Sequence, residues 1–170
     1  VAGTKETLID WLRDAYAMET QAIEMLERQT ERLEHYPELL AKVREHKAVT
    51  DRQAERVRQC LKHLGTDTSS IKSGIGMLLG NAQSLSGIFA GDEVVKAGIF
   101  SYAFEQWEIA NYRALIRAAE ECGEPEVARL CTENLREEEE MARWLHDQLP
   151  EVTTTFLRRK ANMQTAEAKR

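Results

Sequence analysis

The chain is short of the residues that interrupt helices. Only three of its 170 residues are proline and nine are glycine, while Ala, Glu, Leu, Arg and Gln are abundant. That balance favours helix throughout. Cysteine is also scarce: Cys60, Cys122 and Cys131 are odd in number and lack CxxC spacing, so they read as small core residues in a reducing compartment. No apolar run reaches the about 20 residues that span a bilayer. The start has no basic region followed by an apolar one, so no secretion signal is expected and the cytoplasm is the expected location. Positive charge is not in excess. The formal net charge is −6 and no basic stripe is present, which argues against nucleic acid as the main partner.

What is present is long helical patterning. A first helix is expected from about Thr4, as N-cap, to Glu34, ending before Tyr36-Pro37 because proline disfavours helical geometry in the residue before it. A second is expected from Pro37 to Leu64, closed by Gly65. Residues 66–91 are rich in Gly and Ser and carry few charges. They read as a crossover with a short helix of its own around Ile75–Leu85. A third helix is expected from Asp92, as N-cap, to Cys122, ended by Gly123. Pro125 opens a fourth, which should run to about Gln148 and stop at Pro150. A short extra helix is expected over 151–160, then a polar tail over 161–170 that frays. The reading is therefore all-α: one four-helix domain over residues 4–160, two antiparallel hairpins joined by a long crossover.

Each long helix carries an inward stripe at alternating four- and three-residue spacing. On the first it is Leu8, Leu12, Ala15, Glu19, Ala22, Leu26, Gln29 and Leu33. On the second it is Leu39, Val43, His46, Thr50, Gln53, Val57, Cys60 and Leu64. On the third it is Val94, Gly98, Ser101, Glu105, Glu108, Tyr112, Leu115, Ala119 and Cys122, and on the fourth Val127, Cys131, Asn134, Glu138, Met141 and Leu145. The stripes are apolar or small toward their ends and polar toward their middles. Glu105 and Glu108 are one turn apart and share a face. A buried carboxylate costs several kcal/mol unless a cation or hydrogen bonds compensate it. Glu19, His46, Glu105, Glu108 and Glu138 fall at similar depth and form a candidate ligand set. Carboxylates with histidine suit iron or manganese better than zinc, and four carboxylates balance two divalent ions. Thr50, Gln53, Tyr16 and Tyr112 lie where they could orient those ligands. Trp11, Met18 and Met25, seven apart, read as core or interface.

The segments Asp10-Trp11-Leu12-Arg13-Asp14-Ala15-Tyr16-Ala17-Met18-Glu19, Glu105-Gln106-Trp107-Glu108-Ile109-Ala110-Asn111-Tyr112 and Leu135-Arg136-Glu137-Glu138-Glu139 resemble the YciE/YciF family of ferritin-like proteins. The likeness runs from about Glu6 to Leu157. It implies a ferritin-like four-helix bundle, a carboxylate-bridged metal pair with ferroxidase chemistry, a link to bacterial stress responses and a homodimer. Two positions depart from the pattern. Where the family commonly has His-Leu-Glu-Glu-Thr, this chain has His46-Lys47-Ala48-Val49-Thr50. Where ferritin-like sites use Glu-x-x-His, the fourth helix has Glu138-x-x-Met141.

These readings converge on a metal-binding protein, with two irons expected and manganese the alternative, that oxidises Fe(II) with O2 or peroxide. Glu105 or Glu138 would bridge the metals as catalytic ligands, with Glu19, Glu108 and His46 terminal. The competing expectations are a non-enzymatic bundle whose site has degenerated and a manganese-dependent enzyme that removes peroxide.

Overall fold

The computed structural model describes residues 2–68 and 94–167. Among them run four helices: α1 (Ala2–Thr30), α2 (Pro37–His63), α3 (Val94–Glu121) and α4 (Pro125–Glu167). The expected crossover helix and the Asp92 cap lie outside the described residues. Gly65 and Gly123 end α2 and α3 at φ +80° and +69°. In each turn two amides fold back on the last carbonyls: Thr66 to Leu61 and Gly65 to Lys62, then Glu124 to Ala119 and Gly123 to Glu120. This double closure needs a left-handed residue, which glycine supplies without a Cβ clash.

Ion pairs at one end of the bundle settle the directions. Glu124, between α3 and α4, accepts from Lys5 on α1 at 2.9 Å and lies 3.2 Å from His63 on α2. The start of α1, the ends of α2 and α3 and the start of α4 therefore meet there. At the other end, Gln29 of α1 donates to Ser101 of α3 at 2.9 Å. The close helix pairs are α3 with α4, α1 with α2, α2 with α4 and α1 with α3. Every adjacent pair is antiparallel, and the parallel helices sit on the diagonals. This is the four-helix arrangement with one crossover.

Two helix ends differ from expectation. α1 stops at Thr30 rather than Glu34. The Thr30 hydroxyl donates to the Glu27 carbonyl at 2.7 Å, and the chain turns through Arg32–Gln29 and Tyr36–Leu33 backbone bonds. Thr4, expected to cap the helix, lies inside its first turn, because α1 already begins at Ala2. The larger correction is Pro150, which does not stop α4: the helix runs on to Glu167, taking in both the expected extra helix and most of the expected tail. Proline inside a helix costs about 3 kcal/mol through the lost N–H and its ring clash. Thr153 and Thr154 bond back to the Leu149 and Pro150 carbonyls at 2.7 and 3.0 Å, as hydroxyls inside helices do. The stretch beyond the proline is held by a contact from elsewhere in the bundle. Arg159 stacks over the Tyr36 ring, 5.5 Å from its centroid.

The inward stripes are the ones the spacing defines. A large apolar cluster at the Glu124 end includes Leu8, Leu12, Cys60, Leu61, Leu115, Val127 and Cys131. A smaller one at the opposite end is built on Leu26, Leu33 and Val43. A polar belt lies between them. All three cysteines are free, Cys60 and Cys131 buried and Cys122 half-buried. Met18 is core and Met25 packs on it, whereas Trp11 is 45% exposed. No helix among the described residues is long and apolar enough to cross a membrane.

Candidate metal centre

The belt buries Glu19, His46, Thr50, Gln53, Glu105, Glu108, Asn134 and Glu138, all at most 4% exposed. Each helix contributes because its apolar stripe continues above and below, so the same periodicity that buries leucine also buries these acids. The structure brings together the five candidate ligands in two groups of three. His46, Glu105 and Glu138 place one donor atom each within 4.8 Å of one another, and so do Glu19, Glu108 and Glu138. Glu138 belongs to both. His46 Nε2 is 3.3 Å from Glu105 Oε1 and 3.8 Å from Glu138 Oε2.

The electrostatics are those of a site short of positive charge. Burial first, then neighbouring acids, push Glu19, Glu108 and Glu138 well above the usual carboxylate range. Glu105 is pushed up to about 7, chiefly by burial. Burial lowers His46 below its ordinary value, despite the pull of Glu138, so the imidazole is neutral near pH 7 and free to ligate. Buried oxygens without a partner include Glu19 Oε2, Glu105 Oε2, Glu108 Oε1 and both oxygens of Glu138. Native proteins rarely leave such groups unmatched. Their donor chemistry, hard oxygens with one imidazole, fits a divalent ion of the iron or manganese kind.

The supporting residues sort differently from expectation. Tyr112 is fully buried and donates to Glu19 Oε1; burial and Glu19 push its phenol up, so it keeps its proton. Thr50 instead donates to the His46 carbonyl at 3.0 Å, bracing its own helix. Tyr16 is half-buried and packs on the apolar cluster. The Gln53 side-chain amide lies buried without a partner. Sequence reasoning placed Asn134 on the inward stripe without giving it a role, and missed Arg56. Asn134 donates to Tyr112 and to the Gln53 carbonyl and accepts from Arg56. Its place in the stripe, one turn before Glu138, was the available signal. Val49 is only half-buried, and neither triad includes it.

A domain of unknown function, DUF892, matches residues 3–158. A protein of Xanthomonas campestris pv. campestris is 42% identical, with a TM-score of 0.80, covering 93% of this chain and 99% of its own. The Escherichia coli stress protein YciF is 25% identical, with a TM-score of 0.70 over 86% of this chain and 94% of its own. A Desulfovibrio desulfuricans bacterioferritin, which has a diiron site, is 23% identical with a TM-score of 0.73 over 89% of this chain and 83% of its own, a likeness of fold. The chain thus belongs to the DUF892 family, and its bundle is ferritin-like, of the YciE/YciF type.

Proposed function

We propose that the belt holds two divalent metal ions, iron the expected occupant, and that the protein oxidises Fe(II) with O2 or peroxide. One observation carries the reading: two buried triads share Glu138, and their carboxylates keep oxygens with no protein partner. His46 and Glu105 would hold one ion, Glu19 and Glu108 the other. Membership of both triads favours Glu138 over Glu105 as the bridge. When bound, the metals supply the electron transfer. The chain's own residues do the rest. The raised carboxyl groups hold protons while no cation is present and release them as it enters. The neutral His46 imidazole offers Nε2. The apolar clusters on either side exclude water and strengthen each charge interaction. A protective role under stress agrees with the E. coli relative being a stress protein, and a cytoplasmic homodimer is the working form we expect.

The test is metal content per chain after anaerobic Fe(II) loading and desalting. Two irons per chain are expected, with iron-dependent O2 uptake. The Glu105→Ala/Glu108→Ala double variant should retain none; stoichiometric iron in it would overturn the assignment. The all-carboxylate triad favours a second reading, since hard oxygen donors also suit manganese. O2 release from peroxide by the manganese-loaded protein would select it. Folded protein that takes neither metal would select the non-enzymatic bundle.

A further inference from the structure

Asn134 occupies a fully buried position on α4 and makes three hydrogen bonds. Its Oδ1 accepts from Arg56 Nη1 at 2.9 Å. Its Nδ2 donates to the Gln53 backbone carbonyl at 3.2 Å and to the Tyr112 hydroxyl at 2.8 Å. A guanidinium only donates and a carbonyl only accepts, so which end of the amide is oxygen is settled from both sides. Arg56 is itself fixed by Glu137, at 2.6 and 2.9 Å, and by Glu133 at 3.2 Å. The Tyr112 oxygen therefore receives a hydrogen from Asn134, and its single proton is directed to its other neighbour, Glu19 Oε1. Glu19 Oε2 is left with no protein partner.

We propose that Asn134 is a positioning residue: it sets the direction of the Tyr112 hydroxyl, which anchors Glu19 by one oxygen and leaves the other for a cation. This rests on the metal-centre reading above. The order of polarity runs from the half-buried Arg56 on α2, through α4 and α3, to Glu19 on α1, so each helix of the bundle contributes one link.

The decisive variant is Asn134→Asp. It has the same shape and still accepts from Arg56, but its second oxygen accepts where Nδ2 donated. The Tyr112 proton then turns to the introduced carboxylate and Glu19 loses its anchor. An added negative charge by itself would strengthen cation binding, so weakening cannot come from charge alone. In Mn(II) titrations followed by electron paramagnetic resonance, the wild type should bind two ions. Asn134→Asp and Tyr112→Phe should each weaken one of the two by roughly 10- to 100-fold, the range for loss of a group that orients a ligand. The double variant should be no weaker than either single one. Glu133→Gln, which removes an Arg56 ion pair without touching the amide, should leave both ions bound as in the wild type. If Asn134→Asp fails to fold, Asn134→Ser should show the same order: weakened binding alone, no further effect in the Tyr112→Phe background. Undiminished binding in the Asn134 variant, or an effect that adds fully to Tyr112→Phe, would mean that Asn134 only ties α2 to α4, and the proposal falls. Should the wild type bind neither Mn(II) nor Fe(II), the metal reading fails on its own, and the 13Cζ resonance of Tyr112 in the metal-free protein decides the positioning. It should shift in Asn134→Asp and stay in place in Glu133→Gln; an unshifted resonance in Asn134→Asp overturns the proposal.

Discussion

The apolar cluster at the Glu124 end and the polar belt next to it are built from the same four stripes, yet they do opposite things. Leu8, Leu12, Leu61 and Val127 are buried to within 1% and so are Glu19, Glu108 and Glu138. Burial of the first set drives folding, at roughly 1.5–3 kcal/mol for each large side chain. Burial of the second opposes it, because each acid gives up water without gaining a compensating charge. Equal burial with opposite sign teaches that the belt is tolerated by the fold rather than required by it. The cluster supplies the stability that allows it.

The sharpest way to break the comparison is Glu138→Ala. Because both triads share this side chain, it should weaken both metal positions by more than about 100-fold, beyond the range for an orienting group. Glu19→Ala should affect one. Metal counting after desalting checks both. Next come two substitutions of opposite expected sign in the metal-free protein. Leu12→Ala should destabilise by about 2–5 kcal/mol, as core truncations do. Glu108→Leu should stabilise by about 1–4 kcal/mol while removing one metal, because an apolar side chain of similar size replaces an uncompensated acid. Urea unfolding of the two, with equal m-values, reads the difference. A Glu108→Leu protein less stable than wild type would show that the acids are already compensated.

The pH dependence sharpens the same contrast. Glu105 titrates at about 7 when folded against 4.5 unfolded, and Glu19, Glu108 and Glu138 are raised as well, with burial the first cause in each. His46, lowered by burial, acts the other way, but four raised acids outweigh one lowered imidazole: through that window the folded chain binds more protons than the unfolded one, so stability falls as pH rises. The metal-free protein should lose on the order of 5 °C in Tm between pH 5 and pH 8, and metal loading should flatten the slope; calorimetry at the two pH values checks it. The smallest expected effect lies away from both regions. Gly123→Ala meets open space but must hold φ +69°, costing about 1 kcal/mol.

Much of this was legible in the residues because helical periodicity is a local property. The stripe that runs through Leu12, Glu19 and Leu26 can be drawn before any partner helix is known. Gly65 and Gly123 mark real turns for equally local reasons. Pro150 misled, because a proline's effect depends on what holds the helix on its far side, and Tyr36 with Arg159 is distant in the chain. Thr50 misled too: a hydroxyl in a helix has its own carbonyl four residues back within reach.

The sequence by itself determined the central spans of the four long helices, their buried faces and the five polar side chains in mid-stripe, since each follows from spacing along a single helix; where the first and fourth helices end it did not. Only the tertiary structure decided that Glu138 serves both triads, that Glu19 is anchored by Tyr112, and that Asn134 and Arg56 stand behind it. Those facts depend on which face of each helix meets which neighbour. A hydrogen bond needs atoms within about 3 Å and a fixed donor direction, and a repeat along one helix carries neither.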